Sequence, residues 1–166
     1  MQTRFPHLED HMHKHARQGL FGLVAAAVGA VAFAAPAQAA TNPYTPQEAC
    51  DHQFGGTWST TTDGHRSLLT GKGTKFGDVY LMYNSATGNN CVATIKSAYV
   101  GTASWTAADL LVQGESTARE DSDYYGYYAA VQAHAAGTCV QYSAQIYSPT
   151  WQDGAFGGRA TWGNCG

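Results

Sequence analysis

Charge is scarce in this chain. Of its 166 residues, only 13% are Asp, Glu, Lys or Arg, about half of the ~25% usual in soluble domains. Lysine and arginine together number 9 against 12 acidic residues, for a net charge of −3. Nucleic-acid partners call for a basic patch and anionic membrane surfaces for a basic cluster, and neither can be built from so few cations. A charge-driven disordered chain is excluded as well, since 44% of the residues are hydrophobic and 12% aromatic.

Other absences remove chemistries. There is no Gly-x-Ser-x-Gly elbow and no His-Glu-x-x-His element, the short motifs that mark α/β-hydrolase nucleophiles and zinc proteases. No Cys-x-x-Cys pair occurs, so the spacing of a structural zinc site is missing. No cofactor-binding pattern is found and none is expected. Internal repeats and long linkers are absent too, and no segment carries a convincing amphipathic helical stripe.

The longest uncharged apolar run is residues 20–34, LFGLVAAAVGAVAFA. Its fifteen residues fall short of the about 20 that span a ~30 Å hydrocarbon core. Arg4, Lys14 and Arg17 precede it, and Ala37-Gln38-Ala39 follows as a small-x-small cleavage site. The expectation is a secretory signal peptide over residues 1–39 and a single domain over 40–166. It implies an extracellular protein with no membrane anchor after cleavage. Losing Arg4, Lys14, Arg17, Glu9 and Asp10 moves the net charge from −3 to −4. His11, His13 and His15 alternate like a metal tract but fall in the discarded segment.

All four cysteines, Cys50, Cys91, Cys139 and Cys165, belong to the exported part. An even count in a short secreted chain reads as a disulfide framework, with three pairings possible. Cys50–Cys91 with Cys139–Cys165 closes the two shortest separate loops and is preferred.

The remaining pattern is β. Asp78–Asn84 is apolar on both faces, Asn84–Asn90 is a turn, and Cys91–Val100 returns as its hairpin partner. Ala107–Gln113 is a further strand candidate. Thr138–Tyr147 alternates Val140, Tyr142, Ala144 and Ile146 against Cys139, Gln141, Ser143 and Gln145, a half-buried strand. Ala155–Cys165 closes the chain. These short strands and frequent turns predict an all-β fold, an antiparallel sandwich or partly open barrel of about 6–8 short strands stapled by two disulfides.

The candidate functional residues are few. His52, His65 and His134 are the exported histidines; a hydrolase triad needs one of them beside a nucleophile and a carboxylate. Glu120-Asp121-Ser122-Asp123 reads as a solvated acidic loop, since Ca²⁺ needs six to eight oxygens. Tyr124 to Ala135 reads as one aromatic-rich strand. On that reading Tyr125 and Tyr127 point inward with Ala129 and Val131. Tyr124 and Tyr128 point outward and form a candidate surface-binding pair.

The chain also carries, in order, Asn42-Pro43-Tyr44-Thr45-Pro46-Gln47-Glu48-Ala49-Cys50, Val79-Tyr80-Leu81-Met82-Tyr83-Asn84 and Asn90-Cys91-Val92-Ala93-Thr94-Ile95-Lys96. Leu111-Val112-Gln113-Gly114, Tyr127-Tyr128-Ala129, Ala135-Ala136-Gly137-Thr138-Cys139-Val140 and Cys165-Gly166 follow. In this order the segments resemble the spore-associated protein A family, small secreted proteins of Streptomyces and related actinomycetes. Phe54–Thr74 runs longer than the family pattern, and Asp153–Asn164 departs from it. The resemblance implies an extracellular protein associated with spores or aerial growth and transfers no functional residue beyond the cysteines. The expected role is therefore non-enzymatic, binding or coating the cell or spore surface, with wall or spore-coat polysaccharide or protein as partner. A carbohydrate- or cell-wall-binding module is the second reading, and a small secreted enzyme or protease inhibitor the third.

Overall fold

Strand alternation builds the architecture. In the computed structural model, which describes residues 40–166, Val140–Tyr147 buries Val140, Tyr142, Ala144 and Ile146 and turns Ser143 to solvent. Seven further strands surround a common interior. They are β1 (Ser59–Thr70), β2 (Lys75–Asn84), β3 (Asn89–Lys96), β4 (Ser104–Val112), β5 (Arg119–Tyr125), β6 (Tyr128–His134) and, after β7 (Val140–Tyr147), β8 (Gly154–Gly163). One helix, α1 (Pro46–Phe54), precedes them. The expected signal peptide, its cleavage site and the alternating histidines lie outside the described residues.

All neighbouring pairs are antiparallel, in the order β5-β4-β7-β8-β1-β2-β3-β6. The sheet curls into a nearly closed barrel, the partly open barrel of the two expected all-β forms. Its two edges are β5 and β6, which are consecutive in the chain. A side chain bridges the seam between them. Asp121 on β5 accepts from the Ala130 N–H of β6 at 2.8 Å and from the Tyr125 hydroxyl at 2.6 Å. That carboxylate satisfies an edge donor that would otherwise face an unpaired strand.

Small residues fill much of the interior. Ala108, Ala129, Ala133 and Ala144 pack among Leu81, Leu110, Val131 and Ile146. Each end holds a buried cation. Lys96, 1% exposed, donates through Nζ to the Thr102 carbonyl (2.7 Å), the Ser104 hydroxyl (2.8 Å) and the Tyr125 carbonyl (2.9 Å). At the other end Arg159 donates to the Val140 and Thr161 carbonyls and to Asn164 Oδ1, with its guanidinium 5.3 Å from the Tyr142 ring centre. A buried charge is tolerable only when it is hydrogen-bonded or paired. Lys96 uses all three ammonium donors, and each Arg159 nitrogen makes one hydrogen bond, with Asp63 Oδ2 3.7 Å from the guanidinium.

The disulfides pair Cys50 with Cys91 and Cys139 with Cys165, the preferred arrangement. The first ties α1 to β3 and the second ties the chain end to the start of β7.

Two local readings are corrected and one strand is added. First, a helix is present. Thr45 Oγ1 accepts from the Glu48 N–H while a Glu48 carboxylate oxygen accepts from the Thr45 N–H, with Pro46 in the first turn; this capping box stabilises a start that the weak apolar stripe hides. Second, the polar Phe54–Thr74 segment contains the long strand β1. A bulge at Thr60–His65, with Asp63 at φ 56, breaks its alternation. Third, Tyr124–Ala135 is two strands. Gly126 and Tyr127 form the turn between β5 and β6, so inward and outward alternation does not carry across it.

Candidate functional site

The outer surface of β8, β7, β4 and β5 carries rows of side chains running across the strands. The first row is aromatic. Tyr147 of β7 lies opposite Gly154 of β8, and Trp105 of β4 lies opposite Tyr124 of β5. Trp151, from the β7–β8 turn, lies against three of these rings, with centroids 4.7 Å from Tyr147, 5.9 Å from Trp105 and 6.2 Å from Tyr124. Its indole N–H donates to the Tyr124 hydroxyl at 3.1 Å. Phe156 adds an edge-on contact to Tyr147 at 5.7 Å. Tyr124, Trp151 and Phe156 remain 51%, 49% and 52% exposed. Such contiguous exposed aromatic surface marks an interaction site more often than scattered apolar residues do.

A groove of about 600 Å³ adjoins this row on the same face, with Phe156 on its wall. Its polar lining comes from Gln141, Ser143 and Gln145 of β7, Asp109 of β4 and Arg159 of β8. The Ser143 hydroxyl donates to Asp109 Oδ2 at 3.1 Å. Burial pushes the Asp109 carboxyl above its ordinary range, and Glu120, its partner on β5, adds to the rise against the opposing Ser143 hydrogen bond. The floor is low because Gly158 and Ser143 face each other across the β7–β8 ladder. A Cβ on Gly158 would sit 2.7 Å from Ser143 Cα, so the close strand approach itself demands glycine.

The two tyrosines expected to share a surface are parted. Tyr124 belongs to the aromatic row. Tyr128 starts β6 on the opposite side of the seam, half-buried beside α1, with its hydroxyl 2.6 Å from His52 Nδ1 and its ring 4.9 Å from Tyr44. Burial pushes the Tyr128 hydroxyl above its ordinary value. Tyr127, expected inward, is exposed in the turn, and Tyr125 packs against the interior as expected. Tyr44, Tyr127, Tyr128 and Asp121 line a smaller hollow of about 210 Å³.

Histidines and carboxylates do not converge on the groove. His65 stacks on Tyr80 (4.6 Å) and meets Asp78 Oδ1 at 2.8 Å. Ser67 donates to that same oxygen at 3.1 Å. Serine and imidazole thus share a carboxylate, and the nucleophile–base contact of a triad is not formed. Burial raises the Asp78 carboxyl, but Lys75, His65 and Ser67 outweigh it and leave it below the ordinary range. His134 ends β6 beside the Thr87 carbonyl and Asn89. Glu120–Asp123 lies within β5, not in a loop, and Asp121 is committed to the seam. Among the described residues no group of three His, Cys, Asp or Glu is placed to hold a metal.

Trp105, Tyr147, Trp151 and Phe156 were not singled out from the sequence. One signal was legible: Tyr147 has the same parity as Gln141, Ser143 and Gln145, so an aromatic ring stands on the polar face of an alternating strand.

No protein-family model and no solved structure matches the chain. Over 71 residues it is 37% identical to spore-associated protein A of Streptomyces coelicolor, a stretch covering 42% of this chain and 46% of that protein. The chain thus matches less than half the length of this curated relative. No helix among the described residues is long and apolar enough to cross a membrane. The match supports a relationship of this chain to the spore-associated protein A family.

Proposed function

We propose that this is a secreted, non-catalytic protein that attaches to the spore or cell surface through the aromatic face of β5, β4, β7 and β8. The observation that carries this reading is the ring row itself. Tyr124, Trp151 and Phe156 stay about half exposed and in mutual reach through Tyr147, whereas Trp58, Phe76 and Tyr142 are buried and Phe54 and Tyr128 are partly covered beside α1. Large rings left in water lose the ~1.5–3 kcal/mol that burial of one apolar side chain supplies, and a partner surface restores it. The name of the relative, a spore-associated protein, points to where that partner is found.

The test is retention. Purified protein is mixed with spores and with washed vegetative cell wall, and the bound fraction is measured after salt washes. Unaltered protein is expected to remain bound at high salt, because the contact is apolar. A Tyr124→Ala/Trp151→Ala variant with an unchanged unfolding midpoint is expected to wash off. Equal retention of the two proteins would refute this assignment. The second reading, a carbohydrate-binding module, is favoured by the polar groove beside the rings.

A further inference from the structure

We infer that the groove and the ring row together form a binding site for an uncharged β-linked glycan chain whose sugars carry their hydroxyls equatorially. This rests on the surface-binding reading and specifies what the surface recognises.

The chemistry of the two rows is the first argument. A pyranose with equatorial substituents has flat faces of C–H groups and a rim of hydroxyls. Its faces stack on aromatic rings, whose negative π-clouds attract C–H edges. Its rim needs partners that both donate and accept. Tyr147, Trp151 and Phe156 supply the rings. Gln141 and Gln145 each offer an amide that does both, and Ser143 and Asp109 complete the polar lining. An apolar wall with a few convergent polar groups, at about 600 Å³, matches the usual ligand site of ~300–1,000 Å³.

Charge narrows the class. Asp109 and Glu120 lie opposite each other on the outer face of β4 and β5. Of the nearby cations, Arg119 pairs with Glu115 at 3.2 Å, and Arg159, which lines the groove, is 8% exposed with its guanidinium committed to Asn164 Oδ1 and the Val140 carbonyl. An anionic polymer would meet carboxylates here with no free cation to oppose them. A neutral chain meets only hydrogen-bonding groups.

The strand geometry gives the site its form. The Gly158–Ser143 row keeps the floor low, while Phe156 and Gln145 stand one row to one side and Leu111 and Gln141 one row to the other. The trough therefore runs across the strands, parallel to the aromatic row, and suits a linear chain laid along it.

The test uses the full chain and two soluble uncharged probes, cellohexaose and chitohexaose, followed by indole fluorescence and by calorimetry. Saturable binding of at least one is expected, with a change in emission because Trp105 and Trp151 lie at the site. Trp151→Ala and Phe156→Ala are each expected to weaken binding about three- to tenfold, the loss of one ring contact. Gln145→Ala is expected to weaken it severalfold without touching a ring. Tyr44→Ala, on the far side, should leave affinity unchanged. Absence of binding to both probes at millimolar concentration would overturn the inference, as would equal binding of polygalacturonate. Cleavage of a probe would overturn it too, assigning Asp109 and Glu120 to hydrolysis instead. Its failure is separable from that of the surface reading. Spore retention lost in Tyr124→Ala/Trp151→Ala, without hexasaccharide binding, leaves attachment standing and removes the glycan. Hexasaccharide binding with retention unaffected does the reverse.

Discussion

The barrel has two contrasting outer flanks. On β2, β3 and β6 the outward residues include Met82, Tyr80, Cys91, Ala93 and Ala130, and α1 with Trp58 lies over them, anchored by Cys50–Cys91. On β5, β4, β7 and β8 the outward residues include Tyr124, Trp105, Tyr147 and Phe156, and no element of the described chain covers them. Both flanks are rich in apolar surface. One is finished within the chain, the other is left for something outside it. Apolar outward residues alone therefore do not mark a binding face; an absent cover does.

Substitutions should separate the flanks clearly. Trp58→Ala should cost about 3–5 kcal/mol, the range for deleting a buried tryptophan, since Trp58 is almost fully buried with its indole N–H on the Gly55 carbonyl. Denaturant unfolding measures this, and a loss below 1 kcal/mol would mean that the helical cover contributes little. Replacing Cys50 and Cys91 together by Ser should cost about 2–5 kcal/mol. Amide exchange should then rise first in α1, whereas uniform exchange would show that the helix holds without its bond.

The next expected effect lies inside the barrel, beneath both flanks. Burial lowers the Lys96 ammonium from 10.5 to about 8. Between those values the unfolded chain holds more protons than the folded one, so stability rises with pH. The gain from pH 7 to pH 9 is about 1 kcal/mol. Above pH 10 the sign reverses. Tyr125, pushed up to about 12 chiefly by its hydrogen bond to Asp121, ionises first in the unfolded chain, so its contribution is full below 10 and lost as pH approaches 12. Unfolding at about pH 7, 9, 10.5 and 12 tests both limbs, and Lys96→Met should abolish the first rise. A rise that survives this substitution would contradict the assignment to Lys96.

The smallest change is expected on the bare flank. Trp151→Ala should alter stability by no more than about 0.5 kcal/mol, the range of surface substitutions. A loss near that of Trp58→Ala would erase the distinction between the flanks and make the ring row structural.

Legibility followed how local each signal was. Thr138–Tyr147 could be read because each second residue in Val140–Ile146 is apolar, and the pleat turns that period directly into burial. The helix could have been read from Thr45-Pro46-Gln47-Glu48, a four-residue capping signal. Strand β1 could not, because Ser59–His65 is polar and bulged and is held by pairing to β2, not by its own propensity. Tyr124 and Tyr128 were parted by a two-residue turn at Gly126-Tyr127 that resembles strand in composition.

By itself, the order of residues determined the β character, the cysteine framework, the low charge and which strand residues share a face, since each depends on composition or on a period of two. The tertiary structure alone decided which outward face is covered. It set Trp151 against rings from β4, β5 and β7, cut the trough at Gly158 and placed Tyr128 beneath α1. Those outcomes depend on strand order and register between segments far apart in the chain, which no local period encodes.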